Sequence, residues 1–365
     1  MTRAPDRTWL DDADRPQGGH WSRSPVGRAD PSEPAFRVVR TLEEGRWTAF
    51  VERHPDASLF HTPELHRVFA EARGHRPGVL AALDAAGEVR ALMTTVSIAT
   101  VGGPLRSLTT RHVAFAGPLV DGDAAALRAL LSSYRRDATR GLFTEVRHVT
   151  DAASSIEMLA GSGFRHEPHL NYLIDLTISE DELWQKVASS ARRNIQKARR
   201  LGVSIEEVDG RSGIDEAYPV LAEVYHRIKV PLPDRSLFDA ASRILGPLGR
   251  FRVLLARHDG STIGALTLLV HRGVMTYWYT GTRHEFWSHR PGDLLVAHAL
   301  EMGRTLGCRL FDFGGAGRPD EPYGVRDFKA KYGGALVDFG RDVWMPSPVR
   351  FRVATTGYEL LRRFL

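Results

Sequence analysis

The chain has 365 residues, 42% hydrophobic and 25% charged, which is ordinary for a soluble globular protein large enough for two domains. Its single cysteine, Cys308, excludes an internal disulfide and a cysteine-rich zinc site and fits a reducing cytoplasm. The net charge is only +5, no apolar run is long enough to span a membrane, and residues 1–9 lack a hydrophobic signal core, so we expect a cytoplasmic protein.

Composition divides the chain into four segments. Residues 1–35 are rich in proline, arginine and acids and poor in aliphatic side chains, so we expect a disordered leader. Residues 36–170 and 171–345 each carry helical and strand patterns, which predict two α/β domains with a mixed sheet flanked by helices. Residues 346–365 predict a basic amphipathic tail, which packs on the body or makes weak contact with an anionic membrane surface.

In the first domain, apolar periodicity and turn residues predict strands and helices in alternation. The predicted strands are 36–39, 79–83, 89–98, 142–147 and 172–176. The predicted helices are 42–51, 63–72, 124–139 and 152–160.

The second half repeats this plan, with helix pairs, a strand meander, a long helix and a final strand. The predicted helices are 180–186, 189–201, 213–228, 235–245, 294–306 and 323–332. The predicted strands are 203–207, 251–256, 263–271, 274–280, 310–313 and 335–339. This coarse architectural repeat favours two similar domains.

Residues 311–334, FDFGGAGRPDEPYGVRDFKAKYGG, are the stretch most suited to chemistry. Gly314 and Gly315 end a short buried strand and predict a loop that a substrate can approach closely. Lys329 has Arg326 on the same face of the following helix. A lysine beside an arginine and a glycine loop suits an oxyanion, whereas two solvated surface cations are the alternative.

The other residues of this helix have simpler interpretations. Val325, Phe328 and Tyr332 fall at helical spacing and predict one buried stripe. Asp327 and Lys331 are predicted to form a solvated ion pair. On this basis Lys329 lies off the stripe, and its removal is expected to cost no core contact.

Residues 190–203, SARRNIQKARRLGV, predict a strongly basic helix. Ala188, Ala191, Ile195, Ala198 and Leu201 recur as its core stripe, and no acid lies between residues 183 and 205. Uncompensated positive charge suits phosphates of a nucleotide-linked acceptor or of tRNA, and a solvated basic helix is the alternative.

Together the glycine-rich stretch and the basic helix resemble the signature of the FemABX-like aminoacyltransferases, which belong to the GNAT acyltransferase superfamily. The resemblance implies two tandem GNAT-like domains, an aminoacyl-tRNA donor, no cofactor and transfer to an amine. It places Arg192, and secondarily Arg193, against a phosphate. His61 stands where the family has glutamine, and Phe69 where it has an acceptor-binding lysine, so the usual acceptor is in doubt.

The candidate residues are therefore concentrated in the second half. The candidate catalytic residues are Lys329 and Asp312, the latter either as a proton acceptor or as a loop anchor. The candidate substrate-binding residues are Arg192, Arg193, Gly314, Gly315, Tyr323, Arg326, Phe328 and His61. No metal-ligand spacing, Walker loop or Ser–His–Asp arrangement is present, so we expect no metal.

The expected activity is transfer of an aminoacyl group from aminoacyl-tRNA to a peptidoglycan precursor or a small secondary metabolite. One alternative is N-acylation from acetyl-CoA or another acyl-CoA, for which residues 289–294, HRPGDL, are a partial pyrophosphate-binding match. In that match Asp293 is expected to repel phosphate. Another alternative is a non-catalytic protein that binds RNA or another polyanion through the basic helix.

Overall fold

The computed structural model describes residues 36–99, 109–151, 153–347 and 349–351. The predicted leader and most of the predicted tail lie outside these ranges. Within them the α-helices are α1 (Glu44–Arg53), α2 (Pro63–Glu71), α3 (Ala124–Asp137), α4 (Ala153–Gly161), α5 (Glu180–Lys186), α6 (Ser189–Arg200), α7 (Gly210–Arg227), α8 (Arg235–Leu245), α9 (Pro291–Thr305) and α10 (Gly324–Ala330). None of these helices combines the length and apolar character needed to cross a bilayer.

Strands account for most of the remaining regular structure. They are β1 (Arg37–Val39), β2 (His75–Leu83), β3 (Val89–Ala99), β4 (Thr110–Ala114), β5 (Leu119–Val120), β6 (Thr144–Arg147), β7 (Arg165–Glu167), β8 (Leu170–Asp175), β9 (Ser204–Glu207), β10 (Phe251–His258), β11 (Ser261–His271), β12 (Val274–Thr282), β13 (Leu310–Gly315), β14 (Ala335–Asp338) and β15 (Arg341–Trp344).

Two mixed sheets result, which confirms the predicted α/β class. The first has the order β1-β2-β3-β4-β6-β15-β7, with β5 beside β3, and the second has the order β14-β8-β13-β12-β11-β10-β9. Each sheet contains one parallel pair, β4 with β6 and β12 with β13. Strand β15 lies at the end of the chain yet belongs to the first sheet, a crossing that the sequence analysis did not anticipate.

Local sequence explains where several helices begin. Thr62 accepts a hydrogen bond from the Leu65 amide at the start of α2, where Pro63 occupies the first helical position. Ser179 caps α5 through the Glu182 amide, and Asp234 caps α8 through the Ser236 amide. These caps satisfy amides that lack a partner inside the helix.

Apolar side chains form a separate core on each sheet and a shared core between the halves. Helices α3 and α4 cover the first sheet, and α5, α6 and α9 cover one face of the second. Helices α2, α7 and α8 pack with the other face of the second sheet and with Val96 of the first. The shared core explains why the two halves are held together without a long linker.

Two predicted apolar stripes are only partly correct. Tyr332 is fully buried, but Val325 is 42% exposed, because α10 has only seven residues and ends before Tyr332, so the two positions do not share one helical face. In α6, Ala191, Ile195 and Ala198 are buried as predicted, whereas Leu201 follows the helix and is 40% exposed.

Candidate functional site

A cleft of about 550 Å³ opens where the carboxyl end of β13 meets the strands at the edge of the first sheet. The second half contributes Gly315, Gly317 and Tyr323, and the first sheet contributes Glu145 and Arg341. The cleft therefore contains two of the predicted substrate-binding residues, Gly315 and Tyr323. The remaining lining residues are Glu167, Pro168, His169, Arg318 and Glu321.

The shape of the second sheet explains why backbone groups are free near this cleft. The parallel pairing of β12 with β13 stops at Thr276 and Asp312, although both strands continue. A bulge in β12 also disturbs its pairing with β11 at Thr267–Leu268. Beyond Asp312 the edge of β13 that faced β12 has no strand partner, and the pairing with β8 shifts register before it resumes at Gly315. Carbonyl groups in this irregular stretch therefore need other donors.

Lys329 supplies those donors. Its Nζ donates to the carbonyl oxygens of Phe313 at 2.7 Å, Gly314 at 3.2 Å and Gly315 at 2.8 Å. The residue is only 5% exposed, and burial lowers the pKa of its ammonium to about 8, with the Asp312 carboxylate acting in the opposite direction. The expectation that Lys329 makes no core contact is thus wrong. Helix α10 directs this side chain inward, toward carbonyl groups of β13 at the point where β13 separates from β12.

Asp312 is the acidic counterpart of Lys329 in this arrangement. Its Oδ1 accepts hydrogen bonds from Asn171 Nδ2 and from the Gly314 amide, both at 2.7 Å. Burial raises the pKa of the carboxyl, while these two hydrogen bonds and Lys329 lower it. The carboxylate therefore anchors the glycine loop, which is the second of the two interpretations proposed from the sequence.

Arg326 fixes the rest of the loop. Its guanidinium donates to the carbonyl of Ala316 at 2.9 Å, to that of Glu321 at 3.0 Å and to that of Arg318. Phe328 is half-buried and packs its ring 5.4 Å from that of Tyr332, so its observed contact is with the core and not with the cleft. Arg326 and Phe328 therefore support the glycine loop without lining the cleft.

Gly314 is explained by its backbone conformation and Gly315 by a close neighbour. Gly314 has φ +67°, and a Cβ on Gly315 would lie 2.7 Å from His169 Nε2. A side chain at position 315 would force the His169 ring to move. The loop therefore has a closely packed neighbour, and approach of a substrate to it remains a prediction.

The first sheet brings a cluster of three charged side chains to the cleft. Glu145 lies between Arg147 and Arg341, with distances of 2.6 Å to Arg147 Nε and 3.2 Å to Arg341 Nη1. Burial alone would raise the pKa of Glu145, but the two guanidinium groups outweigh it and hold the pKa below its usual range. The cluster contains two guanidinium groups for one carboxylate, and the cleft also has Arg318, Glu167 and Glu321 on its lining, so it offers groups of both charges to a substrate.

His169 completes this cluster as a neutral base. Its Nε2 lies 2.8 Å from Arg341 Nη2 and accepts that hydrogen bond, because a guanidinium nitrogen can only donate. Burial, and next the charge of Arg341, lower the pKa of His169 to about 4. The imidazole therefore orients Arg341.

The basic helix lies elsewhere on the second domain. Arg192 and Arg193 are exposed, and Arg192 donates to the Trp184 carbonyl at 3.0 Å. Arg199 forms an ion pair with Glu301 of α9 at 3.5 Å, so the positive charge of this helix is not wholly uncompensated. Neither Arg192 nor Arg193 is among the residues that line the cleft.

A buried polar contact connects α6 to the stretch around Lys329. Asp293, in the first turn of α9, accepts from Tyr332 Oη at 3.1 Å and from Asn194 Nδ2 at 3.3 Å. Lys331, predicted to pair with Asp327, follows the end of α10 and lies 5.8 Å from the ring centroid of Phe328. Among the described residues the two form no salt bridge, since the helix ends before i,i+4 geometry is reached.

His61 is a correction to the predicted binding residues. It is 1% exposed; its Nε2 lies 2.7 Å from the Gly117 carbonyl, and its Nδ1 accepts from the Ser58 amide at 3.0 Å. Both ring nitrogens are thus used to fix the short turn before α2. Burial lowers the pKa of His61 to about 4.

Replacing His61 with glutamine should make the stability less sensitive to acid. The folded chain keeps this imidazole neutral, whereas the unfolded chain protonates it near pH 6.5. As the pH falls from 6.5 to about 4 the unfolded state binds the extra proton, which costs about 3 kcal/mol of stability. Urea unfolding measures the free energy of unfolding at pH 7 and pH 4. We expect the decrease between the two pH values to be smaller by that amount in His61→Gln than in the wild type. The exposed His226→Gln should behave as the wild type, and equal drops in all three proteins would contradict the assignment.

The sequence did not predict the cleft residues Glu145 and Arg341 or Arg147, which pairs with Glu145. Strand β6 has a signal that could have found two of them: Glu145 and Arg147 alternate with the buried Val146 in a strand flanked on both sides. Charged side chains on a central strand must face a cleft or a partner. Arg341 offered no comparable signal, because β15 was not predicted.

Comparison with known proteins supports the same architecture. Residues 185–329 match the family model of the acetyltransferase (GNAT) domain. The crystal structure of FemX superposes with a TM-score of 0.65 at 16% sequence identity, covering 85% of this chain and 97% of that chain. No protein with a curated description matches the chain by sequence.

Two further structures share the fold. The C-terminal domain of a putative lysylphosphatidylglycerol synthetase from Agrobacterium fabrum has a TM-score of 0.57 at 18% identity, covering 87% of this chain and 96% of that chain. A tandem GNAT protein from the clavulanic acid biosynthesis pathway has a TM-score of 0.57 at 13% identity, covering 86% of this chain and 99% of that chain. The predicted pair of GNAT-like domains is confirmed. In fold this chain is similar to FemX and to a tandem GNAT protein, and its residues 185–329 match the GNAT acetyltransferase domain.

Proposed function

We propose that this protein moves an aminoacyl group from aminoacyl-tRNA to an amine on a soluble acceptor in the cytoplasm, forming a peptide bond. The observation that carries the proposal is the cleft in which the glycine loop of β13 faces the Glu145–Arg147–Arg341 cluster. The motifs around that loop resemble those of FemABX-like aminoacyltransferases. One structural relative is named for making lysylphosphatidylglycerol, a product that carries an aminoacyl group.

The charges of the cleft favour an acceptor that has both an amine and an anionic group. Arg341 and Arg318 line the cleft and suit a carboxylate or phosphate, whereas Glu167 and Glu321, which pair with Arg318, line the same cleft and suit an ammonium group. An amino acid, a peptide of a peptidoglycan precursor or an amino-acid-like metabolite has this chemistry. A simple apolar amine does not.

In the reaction the acceptor nitrogen attacks the ester carbonyl of the charged tRNA, and the ribose oxygen leaves with a proton. The ester is already activated, so the enzyme contributes position and electrostatics. Glu167 and Glu321 are carboxylates of the cleft that can take the proton released by the amine. Lys329 and Asp312 act as positioning residues, since both hold the glycine loop from behind.

Acyl-CoA as donor is less well supported. The helix start that would bind its pyrophosphate contains the buried Asp293, which is held by Tyr332 and Asn194. Burial raises the pKa of Asp293, although the hydrogen bonds from Tyr332 and Asn194 lower it. A buried carboxyl in the first turn of α9 already occupies the place where a pyrophosphate would meet the helix start, and its charged form would repel a second anion.

Incubation with charged tRNA tests the proposal. Purified protein, aminoacyl-tRNA bearing a labelled amino acid, and amino acid or peptide acceptors should give labelled peptide product. The same mixture with labelled acetyl-CoA should give none. Transfer from acetyl-CoA alone would replace the proposal with N-acylation, and tRNA binding without transfer would indicate a non-catalytic RNA-binding protein.

Arg192 should contribute to tRNA binding through a phosphate. We expect Arg192→Ala to weaken tRNA binding and to reduce the salt dependence of Kd by about one phosphate contact, because each contact releases counterions. Arg200→Ala is the matched control on the same exposed helix and should change little. Filter binding at several salt concentrations measures both variants, and equal effects would indicate a diffuse basic surface.

A further inference from the structure

Three side chains that commonly bind metals meet at the edge of the first sheet. His148, His166 and Asp342 each direct one ligand atom into a space where these atoms lie within 4.8 Å of one another. Asp342 Oδ2 is 2.5 Å from His148 Nε2 and 3.4 Å from His166 Nδ1. We propose that this cluster binds one divalent transition-metal ion, of which Zn²⁺ fits best.

Strand register explains the meeting of residues that are 194 positions apart. In the central strand β15, Asp342 pairs with Val146 on one side and with His166 on the other. His148 follows Val146 by two residues and therefore points to the same face of the sheet. All three ligands consequently lie on the face opposite the cleft.

The burial of the three side chains favours a bound cation. The side chains of His148 and Asp342 are 0% exposed, which makes an incompletely paired carboxylate costly. Among the described residues, His148 Nδ1 and Asp342 Oδ1 have no hydrogen-bond partner. A metal ion bound between Oδ1 and Oδ2 would satisfy the carboxylate.

Two glycines, Gly117 and Gly340, leave room for the rings of His148 and His166. A Cβ on Gly117 would lie 2.9 Å from His148 Nδ1, and a Cβ on Gly340 would overlap the ring of His166. Any larger residue at either position would displace a ligand.

The geometry and the donor set favour Zn²⁺. Ligand atoms around a tetrahedral zinc ion are roughly 3.4 Å apart, which the Asp342–His166 distance already matches. The Asp342–His148 hydrogen bond would open by about 1 Å as the ion replaces the shared proton. Two imidazoles and one carboxylate favour Zn²⁺ over Mg²⁺ and Ca²⁺. Because His166 is exposed, water can occupy a fourth position.

Such an ion would stabilise the first sheet on the face opposite the cleft. The neighbours of the three ligands along their strands are Arg147, Glu167 and Arg341, whose side chains alternate to the cleft face. The ion would tie β6, β7 and β15 together and so fix these three residues relative to one another.

Metal titration of the full-length protein tests the proposal. After removal of bound metal by a chelator, Zn²⁺ added in competition with a chromophoric chelator should bind at one ion per chain with a Kd below about 1 μM and raise Tm by several degrees. His166→Ala changes an exposed ligand and should abolish both effects, whereas the exposed His226→Ala should retain both.

Asp342→Asn gives a second test that keeps the shape of the side chain. It should weaken Zn²⁺ binding at least tenfold, and Co²⁺ bound to the wild type should show visible absorption bands that this variant lacks. Failure to bind Zn²⁺ stoichiometrically, or stoichiometric binding that survives His166→Ala, would overturn the proposal.

Discussion

Lys329→Met should lower the free energy of unfolding by about 2–4 kcal/mol, because it leaves buried carbonyl oxygens without donors. The wild-type ammonium donates to the carbonyl oxygens of Phe313, Gly314 and Gly315, at the point where β12 and β13 separate. Methionine keeps most of the side-chain volume, so the loss reports the hydrogen bonds and not a cavity. Urea unfolding monitored by circular dichroism measures the change.

The same variant should also lose turnover. If the glycine loop positions the reacting ester, a shift of about 1 Å should reduce kcat roughly 10²-fold while the KM of the donor changes much less. The assay is run well below Tm, where the variant is folded. Lys331→Met, two residues away and partly exposed, should cost under about 1 kcal/mol and leave kcat within twofold. Unchanged stability of Lys329→Met, or near-normal kcat, would refute the assigned role.

Arg341→Ala should reduce kcat/KM for the acceptor by about tenfold to a hundredfold, the scale of a lost hydrogen bond to a charged group. Arg341 lies in the cleft, pairs with Glu145 and donates to His169. Arg40→Ala is a suitable control, since Arg40 forms an exposed ion pair with Asp137 elsewhere on the first half. Acceptor kinetics that are the same for both variants would remove Arg341 from the site.

An independent readout follows from the histidine beside Arg341. The charge of Arg341 is one of the causes, after burial, that lower the pKa of His169 to about 4. Removing that charge should raise the pKa of His169 toward its ordinary value, so that the imidazole titrates at a higher pH in Arg341→Ala. An NMR titration of the His169 ring, assigned with His169→Gln, measures this shift. An unmoved titration would mean that the two groups are not in contact in solution.

Some features of this protein are determined by local sequence. Pro63 after Thr62 starts α2, and Ser179 starts α5, because each cap acts within its own helical turn. Gly314 marks the turn after β13 for a reason that is equally local, because its positive φ strains any residue with a side chain. The motifs of residues 311–334 and 190–203 were likewise sufficient to indicate the fold.

Other features depend on contacts between distant segments. The sequence placed Lys329 on a helix but not inside the protein, because its burial depends on where β12 leaves β13. The sequence predicted His61 as a binding residue, whereas its hydrogen-bond partner is the Gly117 carbonyl of a distant loop. Arg341 reaches the cleft only because β15 returns to pair with β6 and β7. Strand pairing across such separations is selected by the packing of the whole core, and no short window of sequence contains that information.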